Sequence, residues 1–270
     1  MMHSPHPRAR YNVVIPTRYG MMIVNRNDWK DGPELRYGVG HELLTYGEYV
    51  QAELDEMAGL IRQGPPDPVL LDIGANIGVH TLVLSELAGP RGKVLAFEAQ
   101  RIVFQMLMGN LALNSIENVH GHQLALGRAA GSLTLPPVSY SQPENFGGVS
   151  LAQAAPAGAG GDASTGESVT VATLDSFNLA RVDFIKLDVE GMEEDVLAGA
   201  SRTLDRTRPV MQVEWLGHDG RLPLMLTQTL DYRVFRAGMN LLCIPAERYG
   251  EIAGVPEITA DGIKKAFDLP

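Results

Sequence analysis

The sequence predicts an α/β fold with a mostly parallel, doubly wound sheet. Short apolar runs alternate with helical patterns from residue 69 to residue 215, and strands that alternate with helices build parallel sheets. The runs VLLDIG, KVLAFEA and VDFIKLDVEG are largely apolar, as expected for strands covered on both faces. A glycine turn follows the first run, and acidic side chains mark the ends of the other two. We therefore expect a Rossmann-like sheet with a ligand site at its carboxyl ends.

The first 63 residues are expected to form a cap ahead of this sheet. Residues 1–10 show no apolar pattern and are expected to be disordered. Two apolar runs flank Arg18–Gly20 and predict a hairpin, and apolar residues at helical spacing predict a helix over Gly47–Gln63. Tyr46 and Glu48, at the start of that helix, are expected to cover the ligand cleft.

The main domain is predicted over residues 64–250, with a C-terminal tail over 251–270. The segment 154–168 is rich in Ala, Gly and Ser and predicts a mobile surface loop. The sheet is expected to end with an antiparallel last strand. The other predicted helices lie over Ile77–Leu87, Ile102–Leu113, 192–204 and Leu222–Thr229. A third strand with its flanks is predicted within 118–127, and further strands over 132–138, 149–153, 208–215, 232–235 and 239–245.

Composition excludes several classes of protein. The chain has 270 residues and a net charge of −10, with no block of Lys and Arg, which argues against nucleic acid as the main partner. No apolar segment approaches the roughly 20 residues that span a bilayer, and the N-terminus lacks the apolar core of a secretory signal. We therefore expect a cytoplasmic protein. The single cysteine, Cys243, excludes an internal disulfide, and the oligomeric state stays open.

The first glycine turn, Gly74-Ala75-Asn76-Ile77-Gly78, indicates a nucleoside ligand without a pyrophosphate. Dinucleotide-binding turns have a central glycine that lets the backbone approach the pyrophosphate, but here that position is Asn76. The acid Asp72 precedes the turn and could meet an ammonium group, directly or through a carbonyl of the turn. Both features favour S-adenosylmethionine, with Gly74, Ala75, Asn76 and Gly78 near it. The alternative is a turn without a ligand, in which Gly78 serves helix packing.

The ends of the next two strands supply further candidate contacts. Glu98 ends the second strand, where a carboxylate can accept both ribose hydroxyls; a solvated glutamate is the alternative. The end of the third strand, Gln123–Ala125, is expected to flank the adenine.

The run VDFIKLDVEG brings charge into a buried strand. Lys186, Asp188 and Glu190 are costly there unless they are paired or used, and Asp188 should face the reacting part of the ligand. The alternative is that Asp188 or Glu190 caps the next helix and Lys186 pairs with one of them. Gly191 allows a sharp turn into that helix.

Five motifs together resemble the FkbM family of S-adenosylmethionine-dependent methyltransferases. They are LLDIGANIGVHTL, VLAFEAQ, NLALNSIENV, NFGGVSL and IKLDVEGMEEDVLAGA, and the resemblance extends from Tyr46 to Glu214. It implies a methyltransferase-type Rossmann fold for residues 64–250 and O-methylation of a hydroxyl. It also implies cofactor contacts at Asp72, Gly74, Asn76, Gly78 and Glu98, active-site roles for Asp188 and Glu190, and a loop beside the cofactor at Asn145–Gly148.

The chain departs from the family pattern in two places. Ala99 stands where the family often has Pro, and Trp215-Leu216-Gly217-His218 follows Glu214 in place of a polar segment. Because the second region is expected to touch the acceptor, the resemblance does not identify the acceptor.

The expected reaction is an in-line displacement at the sulfonium methyl, helped by positioning and by a base near the acceptor hydroxyl. The candidate bases are Asp188, Glu190, Glu214 and His218, with Asp188 ranked first as base or as positioner of the acceptor, and Lys186 beside it. The expected acceptor is a small molecule or glycan: a hydroxyl on a sugar, a polyketide or another secondary metabolite. Nitrogen acceptors stay open.

Three alternatives accompany this reading. Asp188, Glu190 and Glu214 could form an oxygen cage for Mg²⁺, although the spacing fits no metal motif and no metal is expected. The whole chain could instead be a nicotinamide-dependent oxidoreductase or a non-catalytic module that binds S-adenosylmethionine.

Overall fold

The structure is a computed structural model that describes residues 11–33, 35–149, 166–217, 219–248 and 255–267, together with the backbone of residues 155–156. Residues 1–10, which we expected to be disordered, lie outside the described residues, as do most of the expected strand over 149–153 and loop over 154–168. Within the described ranges, no helix has the length and apolar character that crossing a bilayer requires.

Two hairpins and two helices form the N-terminal part. Gly47 ends the first helix in a left-handed conformation, with its N–H donated to the carbonyl of Leu43. The predicted helix over Gly47–Gln63 therefore begins later, at Gln51, and the first helix was not predicted. The elements are β1 (Asn12–Thr17), β2 (Gly20–Asn25), β3 (Lys30–Asp31), β4 (Arg36–Tyr37), α1 (Val39–Tyr46) and α2 (Gln51–Arg62).

An eight-stranded sheet forms the centre of the fold and has the predicted, mostly parallel character. Its strands are β5 (Val69–Ile73), β6 (Lys93–Glu98), β7 (Val119–Gln123), β12 (Phe184–Leu187), β13 (Val210–Glu214), β14 (Tyr232–Ala237), β15 (Asn240–Pro245) and β16 (Glu257–Ile258). Their order is β7-β6-β5-β12-β13-β15-β14-β16. The first five are parallel, and β15 is antiparallel to both of its neighbours.

Helices cover both faces of this sheet, as a doubly wound fold requires. Leu70 of β5 packs in the apolar cluster beneath α2 and the next two helices, whereas Leu71 and Ile73 pack in the cluster on the opposite face. The remaining helices are α3 (Val79–Ala88), α4 (Arg101–Leu113), α5 (Glu193–Ala198), α6 (Ser201–Thr207), α7 (Arg221–Leu224), extended by a π turn over Met225–Thr229, and α8 (Ala260–Phe267).

The single helix predicted over 192–204 is wrong, because α5 and α6 are separate helices. The helix is interrupted at Gly199 and Ala200, and a Cβ at Gly199 would lie 2.0 Å from the carbonyl oxygen of Gly127. Asp175 then caps α6, since its carboxylate accepts the N–H groups of Arg202 (3.1 Å) and Thr203 (2.8 Å).

The third strand, expected with its flanks over 118–127, is present as β7 over Val119–Gln123, but the flank that follows it belongs to another sheet. The chain leaves the central sheet at Gln123 and pairs next in a four-stranded sheet of order β10-β9-β11-β8. The strands of that sheet are β8 (Ala125–Leu126), β9 (Gly131–Leu135), β10 (Ala155–Pro156) and β11 (Glu167–Ala172). Parts of the predicted loop over 154–168 are therefore strand.

Two elements lie in the segment that we expected to be a C-terminal tail. β16 pairs with β14 at the edge of the central sheet, and the ring of Phe267 in α8 lies 6.1 Å from that of Trp215. The division into a cap, a main domain and a tail stays a prediction.

Candidate active site

The turn after β5 brings the ends of two strands close together. Gly74 has φ +84°, and a Cβ on it would lie 1.7 Å from the carbonyl oxygen of Asp188. The N–H groups of Gly74 and Ala75 both donate to the carbonyl of Phe97, at 3.0 and 2.9 Å. Only glycine satisfies both the left-handed backbone and this approach, so Gly74 fixes the contact between β5 and the chain that follows β12.

Glu98 is held at the end of β6 by two main-chain donors. Its carboxylate accepts the N–H of Asn76 at 3.0 Å and the N–H of Gln100 at 2.7 Å. Burial raises the pKa of Glu98 to about 7, although the two hydrogen bonds act in the opposite direction. The carboxyl group is therefore oriented by the backbone and close to its titration point at neutral pH.

A buried polar row lies beneath the turn on the α3 face of the sheet. Lys186 is in register with Asp72 on one side and with Gln212 on the other. Asp72 accepts a hydrogen bond from the hydroxyl of Thr81 at 2.5 Å, and its other oxygen lies 3.8 Å from Lys186 Nζ. Asp72 therefore anchors the structure beneath the turn, with no exposed surface through which to meet a ligand.

Lys186 connects this row to the carboxylate above it. Its Nζ donates to the carbonyl of Gly74 at 3.0 Å and lies 3.1 Å from Asp188 Oδ2. Burial acts to lower the pKa of Lys186, but the charges of Asp188 and Asp72 outweigh it and raise that pKa. Lys186 is therefore a buried cation that supports the turn and Asp188 together.

Three carboxyl groups meet above Lys186. Asp188, Glu190 and Glu214 each place a carboxyl oxygen within 4.8 Å of the others. Glu190 has φ +54°, a left-handed conformation that costs a non-glycine residue about 1 kcal/mol. Glu190 and Gly191, also left-handed, turn the chain sharply after β12.

The three groups differ in charge because only one faces Lys186 directly. Burial acts to raise the pKa of Asp188, but the Lys186 ammonium and hydrogen bonds from Lys186 and Glu214 lower it below its usual range. Burial and the charge of Asp188 raise the pKa of Glu214 to about 9 and that of Glu190 to about 7. At neutral pH Asp188 is ionised, Glu214 carries a proton, and Glu190 is partly ionised.

One cavity of about 460 Å³ joins the Glu98 end to this acidic end, a volume in the range of small-molecule sites. Seven of the sequence-predicted site residues line it: Gly74, Asn76, Glu98, Asn145, Asp188, Glu190 and Glu214. Five do not: Asp72, Ala75, Gly78, Gln123 and Lys186. The predicted site residue His218 lies outside the described residues.

The predicted residues that do not line the cavity have identifiable local roles. Gly78 has φ +97° and packs against Leu107 at the start of α3, and Ala75 is buried in the core. Gln123 is exposed at the end of β7, whereas Leu124, Ala125 and Leu126 line the cavity. Because the chain changes sheet after Gln123, this apolar wall of the cavity consists of Leu124–Leu126 rather than of the expected Gln123–Ala125.

The N-terminal part contributes residues that sequence reasoning missed. Tyr37, Val39 and Tyr49 line the cavity, whereas Tyr46 is 69% exposed. Glu48 forms an ion pair with Arg18 at 2.9 Å.

Asp28 fastens the N-terminal part to the loop Asn145–Gly148. Its buried carboxylate accepts the N–H of Gly40, at the start of α1, at 2.9 Å and the N–H of Phe146 at 3.0 Å. Gln100 Nε2 donates to the carbonyl of Phe146 at 2.7 Å. The predicted loop therefore stands beside the cavity, held from two sides.

Known proteins share the sequence pattern of this chain. The Methyltransferase FkbM domain model matches residues 72–237. "Methyltransferase 1" of Beauveria bassiana is 32% identical over 148 residues, which cover 50% of this chain and 59% of that protein. The hexuronic acid methyltransferase AglP of Haloferax volcanii is 29% identical over 163 residues, which cover 57% of this chain and 59% of that protein.

Among solved structures, the methyltransferase FkbM from Methylobacillus flagellatus aligns with a TM-score of 0.47 and 20% identity, over 66% of this chain and 44% of that one. The chain thus spans less than two thirds of each of these relatives. The domain match covers more than half of this chain and includes both ends of the cavity. The chain belongs to the FkbM methyltransferase domain family.

Proposed function

We propose that the chain is an S-adenosylmethionine-dependent methyltransferase whose acceptor is a hydroxyl group. The observation that carries the proposal is the single cavity that runs from Glu98, past the Gly74 turn, to Asp188, Glu190 and Glu214. One end offers an oriented carboxyl group, and the other offers an ionised carboxylate beside two carboxyls with raised pKa values. This division suits a nucleoside-bearing methyl donor and a hydroxyl acceptor that meet inside one cleft.

The residues present fit such a donor. Glu98 uses its two oxygens to accept main-chain N–H groups and retains lone pairs for ribose hydroxyls. Phe97 and Leu124–Leu126 supply an apolar wall for a purine. Gly74 lets the turn approach the carbonyl of Asp188, which a Cβ would overlap, and so brings the turn and Asp188 together in one cavity wall. When bound, S-adenosylmethionine supplies an electrophilic methyl group on a positively charged sulfur, which the carboxyl-rich end favours.

Asp188 is proposed to orient the acceptor rather than to act as the main base. Its charge is stabilised by Lys186 at 3.1 Å, and a carboxylate of lowered pKa accepts hydrogen bonds well but takes up protons poorly. The acceptor hydroxyl can donate to it and align its oxygen. This assigns Asp188 the second of the two roles that the sequence suggested for it.

Glu190 is proposed to take the proton from the acceptor hydroxyl. A base is most effective when its pKa lies near the working pH, and burial and the charge of Asp188 raise the pKa of Glu190 to about 7. Glu214, with a pKa of about 9, holds its own proton at neutral pH and donates a hydrogen bond to Asp188. The three carboxyls then have separate roles: orientation, proton uptake and support.

The proposed acceptors are hydroxyls of sugars, polyketides or other secondary metabolites. One relative is a hexuronic acid methyltransferase, which supports a sugar hydroxyl as the acceptor but does not fix the charge of the sugar that this chain accepts. A metal-assisted variant would use the three carboxyls as oxygen ligands for Mg²⁺. Against it, Lys186 already supplies a cation at Asp188 Oδ2.

The test combines binding with product detection. In calorimetric titrations, S-adenosylhomocysteine is expected to bind and NADH is not, because the Asn76 amide stands where a pyrophosphate would approach the turn. Cell extracts of the source organism, which serve as the source of the acceptor, are then incubated with the protein and methyl-labelled S-adenosylmethionine. Mass spectrometry of the products is expected to show a labelled methyl ether. A labelled N-methyl product would change the acceptor class. Label transfer that EDTA abolishes and Mg²⁺ restores would favour the metal-assisted variant. Binding of NADH without binding of S-adenosylhomocysteine would refute the proposal.

A further inference from the structure

We infer that the cavity selects its acceptor by charge: the part of the acceptor that enters is uncharged or cationic, and carboxylate- or phosphate-bearing groups are rejected. This inference rests on the proposed function, because it concerns the acceptor of the same cavity. It divides the proposed acceptors into neutral or basic molecules, which are accepted, and sugar acids and phosphorylated molecules, which are not.

Every side chain on the described cavity wall that can carry a charge near neutral pH is acidic. The ionised Asp188, the partly ionised Glu98 and Glu190, and the protonated Glu214 line it, and no lysine, arginine or histidine is among its described lining residues. An anionic group that leaves water to enter this space loses its hydration and meets like charge. A hydroxyl or an ammonium group finds hydrogen-bond acceptors instead.

Lys186 does not compensate for these acids inside the cavity. Its side chain is 5% exposed, and its ammonium is already engaged by Asp188 and by the carbonyl of Gly74. Its position beneath the turn, in register with Asp72, keeps it out of the cavity lining. It therefore stabilises one carboxylate without offering a binding group to an anionic ligand.

The recess next to the acidic end extends the same pattern. A space of about 150 Å³ shares Glu214 and Leu216 with the main cavity and adds Glu193, Glu194 and Asp219. Its one arginine, Arg221, lies 2.8 Å from Asp219 and 3.7 Å from Glu194. An acceptor that extends into this recess again meets more carboxylates than cations.

The opposite recess contains one cation but does not reverse the balance at the reacting end. Lys30 lines that space together with Glu144, beyond Tyr37 and Asn145. It is not among the residues that line the cavity or the recess at Glu214. An anionic group near Lys30 would therefore lie outside the reacting part of the cleft.

Exposed apolar residues at the cavity offer a position for a cysteine that reports the electrostatic potential there. Tyr37, Leu216 and Met239 line the cavity and are at least 42% exposed. Met239 is 61% exposed, and it can be replaced by a cysteine without disturbing a buried side chain. The only native thiol, Cys243, is fully buried and its pKa is raised by that burial, so it will not compete for reagents.

The test measures the potential at the cavity through thiol reaction rates, without any knowledge of the acceptor. In the full-length Met239→Cys variant, rate constants are measured for a trimethylammonium-bearing and a sulfonate-bearing methanethiosulfonate. Both reagents attack the same thiolate, so their ratio cancels its pKa. The reference is Val14→Cys, at a position 52% exposed on β1 and remote from the cavity lining.

The cation-to-anion rate ratio is expected to be about tenfold higher in Met239→Cys than in Val14→Cys at low ionic strength. Adding Glu190→Gln, alone or with Asp188→Asn, should move the ratio toward the reference. Circular dichroism identifies any variant that fails to fold, and the Glu190→Gln single variant serves if the double variant does. Equal ratios at the two positions, or a high ratio that the carboxyl variants leave unchanged, would overturn the inference.

Binding of S-adenosylhomocysteine to the unmodified chain keeps the two proposals separate. If the rate ratio is high but S-adenosylhomocysteine does not bind, the inferred charge selection stands and the proposed function is refuted. A chain that binds S-adenosylhomocysteine but shows no excess ratio retains the function and loses the charge selection.

Discussion

The two ends of the cavity hold carboxyl groups by different means. At the Glu98 end, one carboxyl accepts two main-chain hydrogen bonds. One comes from Gln100, two residues along the chain, and the other from Asn76 in the turn after the neighbouring strand β5. At the Asp188 end, three carboxyls from two strand ends crowd above one buried ammonium. The first arrangement orients one carboxyl group for binding, whereas the second gives three carboxyl groups different pKa values. We expect the first end to govern cofactor affinity and the second to govern turnover.

The largest effect is expected from Gly74→Ala, which disturbs both ends at once. The added Cβ would lie 1.7 Å from the carbonyl of Asp188, at a φ of +84°. Steric overlap and backbone strain together should lower the free energy of unfolding by about 3 kcal/mol or more and should abolish binding of S-adenosylhomocysteine. Urea denaturation and calorimetry measure the two effects.

Gly89→Ala is the matched control for this change. Gly89 also has a positive φ, +68° with ψ 179°, but nothing lies within 4 Å of a Cβ built there. Only backbone strain remains, so a loss of about 1–3 kcal/mol is expected, with binding unchanged. Equal losses in the two variants would show that the approach to Asp188 is unimportant.

Asp188→Asn is expected to affect turnover and leave affinity nearly intact. Methyl transfer to the identified acceptor should fall at least about tenfold, while affinity for S-adenosylhomocysteine changes by less than about threefold. Because the charge of Asp188 raises the pKa of Glu214, carbon-13 NMR should show that pKa falling in the variant. Asp195→Asn, which alters an exposed ion pair with Arg128, should change neither. Turnover near the unmodified level would remove Asp188 from the reaction.

Glu98→Gln is expected to act mainly on affinity for S-adenosylhomocysteine, whereas Asp188→Asn acts mainly on turnover. Replacing a carboxylate hydrogen-bond acceptor by an amide should weaken S-adenosylhomocysteine binding about tenfold or more. Since ribose hydroxyls prefer the ionised form and the pKa of Glu98 is about 7, affinity in the unmodified chain should rise between about pH 6 and 8. The variant should lose that rise. A variant with unaltered affinity and pH profile would mean that the ribose lies elsewhere.

The pH dependence of stability should distinguish the two ends in the ligand-free chain. A carboxyl whose pKa is raised on folding stabilises the fold below its unfolded pKa and loses that contribution as pH rises through its folded pKa. Glu98 and Glu190 (pKa about 7) and Glu214 (about 9) are all raised, so the free energy of unfolding should decline from about pH 5 to 9. Glu214→Gln should flatten the part above pH 7, and Glu98→Gln the part below it. Stability that rises over this range would contradict the assigned directions.

The smallest effect is expected from Gln123→Ala. Gln123 is exposed and does not line the cavity, so stability should change by less than about 0.5 kcal/mol and binding should not change. Leu124→Ala, one residue later and on the cavity wall, should weaken S-adenosylhomocysteine binding severalfold. A larger loss of binding in Gln123→Ala than in Leu124→Ala would support the contact between Gln123 and the adenine that the sequence predicts.

The Glu98 end was largely predictable from the sequence because its parts are local. Gly74, Asn76 and Glu98 follow two consecutive parallel strands, and the rule that ligands lie at strand carboxyl ends places them together. Asp72 was expected near the ligand, directly or through a carbonyl of the turn, but strand residues alternate between faces and Asp72 lies on the buried α3 face. Its side chain points beneath the sheet to Thr81 and Lys186, and nothing in the local sequence states which face carries the ligand.

At the Asp188 end, the sequence placed Glu214 beside Asp188 and Glu190 because neighbouring parallel strands end at the same edge of the sheet, and the pairing of β12 with β13 has this geometry. The cavity walls were less predictable because they depend on distant segments: Tyr49, for example, reaches the cavity only once α1 has ended at Gly47. The change of sheet after Gln123 and the break at Gly199 both depend on contacts between segments far apart in the chain. Periodicity within a short window does not contain these contacts.

A crystal structure of the chain with S-adenosylhomocysteine tests the central claim most directly, because that claim concerns the orientation of the ligand between the two ends. We expect both ribose hydroxyls within hydrogen-bond distance of the Glu98 carboxylate, with the thioether sulfur nearer to Asp188 than to Glu98. A ligand bound in the reverse orientation or outside this cavity would contradict the account.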